Sequence, residues 1–214
     1  MKHLIPLIGV IATYLLSSCG QSSEQKALAD KQRTDSIIIA TKDSVKRAIE
    51  DSIKISNGVS ALLQTKSLVK NAIPFVESKV EESKIAQTNA DAQMANIESF
   101  HFLRSVQDKQ SQVSNEVKVQ QSINDRLEAL ETVEKIFRLA YDEMDGIEGK
   151  RFHSYSEFES FKNELTKRVR DIERKTIDES NSATQLEKFD FSKTIKDENF
   201  AAEVNDYKRL HPAQ

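Results

Sequence analysis

An all-α protein is what this sequence predicts: an elongated helical bundle with partial heptad character and about five or six helices behind an N-terminal export segment. Three observations lead there. Only 5 glycines and 3 prolines occur in 214 residues, too few turn formers for a sandwich, barrel or many-stranded sheet. Apolar residues recur at helical spacings along most of the chain. Charged residues make up 30% and hydrophobic ones 38%, at a mean hydropathy of −0.55, the balance of helices with broad solvated faces. The net charge of −3 brings no basic excess, so no nucleic-acid partner is expected.

The first segment has the parts of an export signal. Lys2 supplies a positive start, and Leu4 to Leu16 form an apolar run of roughly 13 residues, within signal-peptide length and short of the about 20 that a membrane-spanning helix needs. The run meets Leu16-Ser17-Ser18-Cys19 and then the polar stretch Gly20 to Gln25. That tetrapeptide resembles the lipobox of bacterial lipoproteins, in which a branched apolar residue and two small residues precede a cysteine that becomes lipidated. The resemblance covers only residues 1–19. It implies removal of residues 1–18 and a diacylglycerol on Cys19, the only cysteine in the chain, which leaves the mature protein without a free thiol for catalysis, disulfides or metal. It also implies a membrane partner through that lipid and a place in the bacterial cell envelope. Gly20 is not the aspartate that often marks inner-membrane retention, so the outer membrane is favoured if the organism has two.

After a short tether at 19–25, residues 24–56 contain no Gly or Pro, and Ile38, Val45, Ile49 and Ile53 recur at intervals of seven, four and four. They draw an apolar stripe, the candidate interaction face. Asp35-Ser36-Ile37, Asp43-Ser44-Val45 and Asp51-Ser52-Ile53 repeat every eight residues on the same helix. Because eight residues slightly exceed two turns, the repeats drift around the helix and do not form one site. Asn57-Gly58 predicts a stop. Val59 to Ala72 predicts a short helix ending before Pro74, which would open the next one at its first turn.

From Phe75 the pattern stays helical through Val76, Val80, Ala90, Met94 and Ile97 to His101 and Phe102. It weakens near Ser111–Asn115, where a turn is expected, although one long helix over 75–144 stays open. Ile123, Leu127, Leu130, Phe137, Tyr141 and Met144 form a heptad-like seam interrupted at Glu134, beside which Val133 offers an apolar alternative. Asp145-Gly146 predicts the end of that helix. Ser154 with Glu157, or Ser156 with Glu159, has capping-box spacing, and Phe158, Phe161, Leu165, Val169 and Ile172 then share a helical face running to about Ser180. Ser180-Asn181-Ser182 reads as a linker, followed by a short helix from about Asp197 to Arg209.

Aromatic residues are placed unevenly. None lies between Gly20 and Ile73, while seven of the ten Phe follow Leu130, and aromatic rings dominate core energetics. The expected organisation is therefore an N-terminal helical stalk or outer layer at 26–72, a main bundle at 73–180, and a linker with a C-terminal helix at 181–214.

Chemistry-bearing patterns are sparse. Glu98 and His101 have the spacing of half a bundle-type di-iron site, but no second Glu-x-x-His exists, since Lys150 and Lys208 stand three residues before His153 and His211. An EF-hand loop with Gly146 as its turn glycine would put Tyr141 and Phe152 where oxygen ligands are required. No glycine-flanked nucleophile elbow and no phosphate loop appear. The basic run Lys162, Lys167, Arg168, Arg170, Arg174 and Lys175 is interleaved with Glu164, Asp171 and Glu173, the pattern of a solvated, paired face. No catalytic residue, metal site or cofactor is therefore assigned. The reading is a lipid-anchored cell-envelope protein with a structural or protein-interaction role, an unidentified envelope protein as partner and self-association open. The alternatives are an immunity-like lipoprotein that neutralises a specific protein and a helical metal-binding protein or enzyme.

Overall fold

A computed structural model describes residues 23–99 and 106–212. All regular structure among the described residues is helical: α1 (Ser23–Ser99), α2 (Val106–Glu143), a 3-10 turn (Asp145–Ile147), α3 (Tyr155–Asp178), the single-turn α4 (Ala183–Leu186) and α5 (Phe191–Thr194), and α6 (Glu198–Leu210). The predicted all-α class holds. The chain divides into two units at Ile53 and Lys54.

In the unit beginning at Lys54, polar pairs along the helices fix their directions. Lys66 meets Asp145 at 2.9 Å, Glu77 meets Arg138, Lys84 meets Glu131 at 3.6 Å, Gln87 meets Asn124 at 2.8 Å and Asp91 meets Gln120 at 3.1 Å. Numbers rise on one helix as they fall on the other, so α1 and α2 are antiparallel, and residues 75–144 belong to two helices. The same logic makes α3 antiparallel to α2, through Glu143 with Arg168, Lys135 with Glu179 and Thr132 with Ser180.

The core unites Val69 and Ala72 of α1, Ile136, Phe137 and Ala140 of α2, Leu165 and Val169 of α3, Phe191 of α5 and Val204 of α6. Phe137 sits at its centre, with ring centroids 5.1 Å from Phe191 and 5.8 Å from Phe200. Phe75 carries the outer ring pair, Phe200 at 6.1 Å and Tyr207 at 5.8 Å. Fully buried Phe and Val side chains each contribute roughly 1.5–3 kcal/mol, which makes this meeting of five helices the main source of stability in the unit.

Three expected breaks are absent. At Asn57-Gly58 the helix continues, because Gly58 serves contact and not termination: a Cβ there would overlap the ring of Phe158, itself buried. Phe158 belongs to an aromatic cluster with Phe152 at 5.3 Å and Tyr155 at 6.2 Å. At Pro74 the helix also continues. An internal proline costs about 3 kcal/mol, and burial of Val69, Ala72, Val76 and Val80 on either side of exposed Pro74 outweighs it. Near Ser111–Asn115 α2 is unbroken; Ser, Gln and Asn there are solvated positions on a helix that has neither Gly nor Pro to end it.

The stretch 54–72, grouped by sequence with the stalk, packs into the compact unit through Lys66, Val69 and Ala72. At the other end, the expected linker is held in place. Glu128 accepts hydrogen bonds from the Asn181 backbone N–H at 2.7 Å and the Ser182 hydroxyl at 3.0 Å, and Ser182 is buried. Leu186, Phe191 and Val204 then bury the C-terminal segment.

The cap at Ser154 forms as predicted, its hydroxyl accepting from the Glu157 N–H at 3.1 Å. The Glu157 carboxylate reaches back to the N–H of His153 at 2.8 Å, one residue before the cap. Asp197 caps α6 by accepting from Asn199 N–H at 2.8 Å, matching the expected last helix. In the heptad-like seam, Val133 packs on the core while Glu134 turns to Arg138 at 2.8 Å.

Candidate functional site

The four stripe residues lie on α1 in the unit that ends at Ile53, and all are open to solvent: Ile38 is 46% exposed, Val45 53%, Ile49 56% and Ile53 56%. Ile37 and Ile39 are more exposed still. Three hydroxyl groups on this stretch bond within the helix, Thr34 donating to the Asp30 carbonyl, Ser36 to Gln32 and Thr41 to Ile37, at 2.7 to 2.8 Å. Such back-bonding turns the polar atom inward along the helix and leaves the Thr methyl outward. Lys42 and Lys46 stand beside Val45 and Ile49 on this surface, so the apolar face is interleaved with cations. Cys19, His101 and Phe102 lie outside the described residues, and Glu98 falls in the last turn of α1.

Sequence reasoning missed a polar centre at Lys66. Lys66 is buried, its side chain 7% exposed, and its ammonium donates to Asp145 and Glu148, each at 2.9 Å, with the Tyr141 ring centroid 5.4 Å away. The carboxylates sit on the surface, 77% and 69% exposed. Hydrogen bonds to Glu148 and then Asp145 push the Lys66 amine far above its ordinary value, against the opposing effect of burial. A lysine that acts as base or Schiff-base nucleophile needs the reverse shift. Lys66 therefore ties α1 to the turn after α2. The visible signal was a cation set between Leu62 and Val69 in an apolar pattern.

Glu173 is the second such group. Its carboxylate accepts from the Phe191 N–H at 2.7 Å, which seats Phe191 in the core. Burial raises its pKa, and the hydrogen bond from Phe191 only partly opposes this. Glu173 was expected within the pairing of the basic face of α3. Four of the six cations named on that face form ion pairs: Lys162 with Glu159, Arg168 with Glu164 and Glu143, Arg174 with Asp171, and Lys175 with Glu179. Exposed pairs of this kind contribute at most about 1 kcal/mol each.

Among the described residues no group of three or more His, Cys, Asp or Glu side chains could hold a metal ion, and no helix is long and apolar enough to cross a membrane. Comparisons with known protein families, with curated proteins and with solved structures find no match.

Proposed function

We propose that this protein is a lipid-anchored component of a bacterial cell envelope, held to the membrane through Cys19, and that it acts by binding another protein along α1. The observation that carries the anchoring is the arrangement of Lys2, the apolar run Leu4 to Leu16, and Leu16-Ser17-Ser18-Cys19 around the only cysteine. Each methylene buried in a bilayer contributes about 0.8 kcal/mol, so the two or more acyl chains of a lipoprotein cysteine hold the chain stably. The interaction role is supported by the open apolar face at Ile38, Val45, Ile49 and Ile53. Helix-to-groove recognition uses side chains at this kind of spacing.

The test of anchoring is metabolic labelling with palmitate in the native organism. Cys19→Ser abolishes incorporation and leaves an uncleaved precursor or a soluble form. Unchanged labelling of that variant overturns the anchoring.

A further inference from the structure

We infer that Asn57 is a site of spontaneous deamidation that the packing of α3 on α1 keeps closed, and that the modification, once made, prevents this contact from reforming. Asn57-Gly58 is the only Asn-Gly pair in the chain. The sequence predicts a helix stop there, whereas α1 continues through it with Gly58 against the ring of Phe158.

In an Asn-Gly pair the side-chain amide and the next backbone nitrogen react readily, because glycine has no Cβ to hinder their approach. Hydroxide removes the Gly58 amide proton, and the nitrogen attacks Cγ of Asn57 to form a C–N bond. The Cγ–Nδ2 bond breaks, and Nδ2 takes a proton from water and leaves as ammonia. Water then opens the resulting five-membered imide at either carbonyl. One opening gives aspartate and the other isoaspartate, in which the main chain runs on through Cγ. The sum is amide plus water to carboxylic acid plus ammonia, with nothing oxidised or reduced.

The fold holds these steps off. Asn57 is exposed, so water and hydroxide reach its side chain. In a continuous α-helix, however, the Gly58 N–H donates to the Lys54 carbonyl, and the helical backbone angles at Asn57 keep the nitrogen away from Cγ. α3 secures both ends of that hydrogen-bonded turn. Phe158, only 2% exposed, lies against Gly58, and the Lys54 ammonium stands 5.4 Å from the centroid of the Tyr155 ring. Phe158 is in turn held by Phe152 at 5.3 Å. Reaction therefore requires local opening of this turn, and its rate follows how often α3 releases it.

The isoaspartate product does not fit the place it came from. It inserts one extra main-chain atom before the Gly58 nitrogen, which breaks the helical register and moves Gly58 from beneath a ring that leaves no room for a Cβ. An opening that is reversible in the parent chain then becomes permanent.

The inference concerns α1 and α3 alone and stands whether or not α1 binds a partner or Cys19 carries lipid. The test uses the full chain with Cys19→Ser, held at mildly alkaline pH, and follows the peptide containing Asn57 by mass spectrometry. The folded protein deamidates there at least tenfold more slowly than the same chain in concentrated urea, where Gly58→Ala suppresses the reaction. Phe158→Leu, with less side chain over Gly58, reacts faster than the parent while circular dichroism shows its helices retained. Urea below the unfolding midpoint also speeds the parent, a readout that needs no variant. Protein carrying isoaspartate, refolded from urea, melts below the Asn57→Asp variant, which has the new charge without the extra atom. Equal rates in folded and unfolded chains, or no reaction at Asn57 in urea, overturn the site. An unchanged rate in Phe158→Leu overturns closure by α3, and equal melting of the isoaspartate protein and Asn57→Asp overturns the one-way effect.

Discussion

Gly58 of α1 lies directly beneath the ring of Phe158 at the start of α3, so close that a single added methyl carbon would overlap the ring. This contact brings α3 onto α1 where Lys54 also reaches the Tyr155 ring, 5.4 Å from its centroid. It marks the point at which the compact unit begins.

Gly58→Ala therefore destabilises the protein although alanine is the better helix former. The helix preference is worth about 1 kcal/mol, while overpacking a well-filled contact costs typically about 1–3 kcal/mol. The expected thermal melt shows a net loss for Gly58→Ala, partly restored by Phe158→Leu in the same chain. A higher melting temperature for Gly58→Ala alone would show that the ring moves aside freely.

Lys66 and its two carboxylates respond unequally to neutralisation. Lys66→Met removes a buried charge and leaves Asp145 and Glu148 on the surface, where water solvates them. Asp145→Asn with Glu148→Gln instead leaves the buried ammonium without its counter-charges, the more damaging change. Denaturant melts should rank the carboxylate double variant below Lys66→Met. The opposite order would mean that the lysine is stabilised by something other than these two groups.

Glu173 makes stability depend on pH in a definite direction. Its pKa in the folded protein lies above the ordinary value of 4.5 because burial disfavours the charged carboxylate. The folded state thus holds the proton more tightly, and the stability it contributes is present below 4.5 and lost as pH rises through the raised value. Glu173→Gln keeps an oxygen for the Phe191 N–H and removes the titration. The variant should be more stable than the parent at neutral pH, with the difference shrinking as pH falls toward the ordinary carboxylate range. A difference independent of pH would contradict this.

Much of the fold was legible because its signals are local. The cap at Ser154, the end of α2 near Asp145 and the placement of α6 follow from residues within one turn of each boundary. What misled were Gly58 and Pro74, whose local meaning is a stop and whose actual setting is decided by rings and aliphatic side chains distant in sequence. The concentration of aromatics after Leu130 pointed to a core toward the C-terminal half, where Phe137 is buried, but not to its α1 share, since Val69, Ala72 and Val76 contribute without rings. Glu128 was invisible for the same reason: its partners Asn181 and Ser182 lie on another part of the chain. The spacing of Ile38, Val45, Ile49 and Ile53 was readable because it lies on one helix, whereas their exposure is set by what packs on that helix.

As proposed, this protein meets its partner along the N-terminal part of α1 and not through the charged face of α3. The most direct measurement is photocrosslinking in living cells from a photoreactive residue placed at Val45, compared with one at Lys162. A discrete higher-mass adduct is expected from position 45, abolished by Ile38→Asp with Ile49→Asp, and none from position 162. Adducts from position 162 with none from position 45 would contradict it.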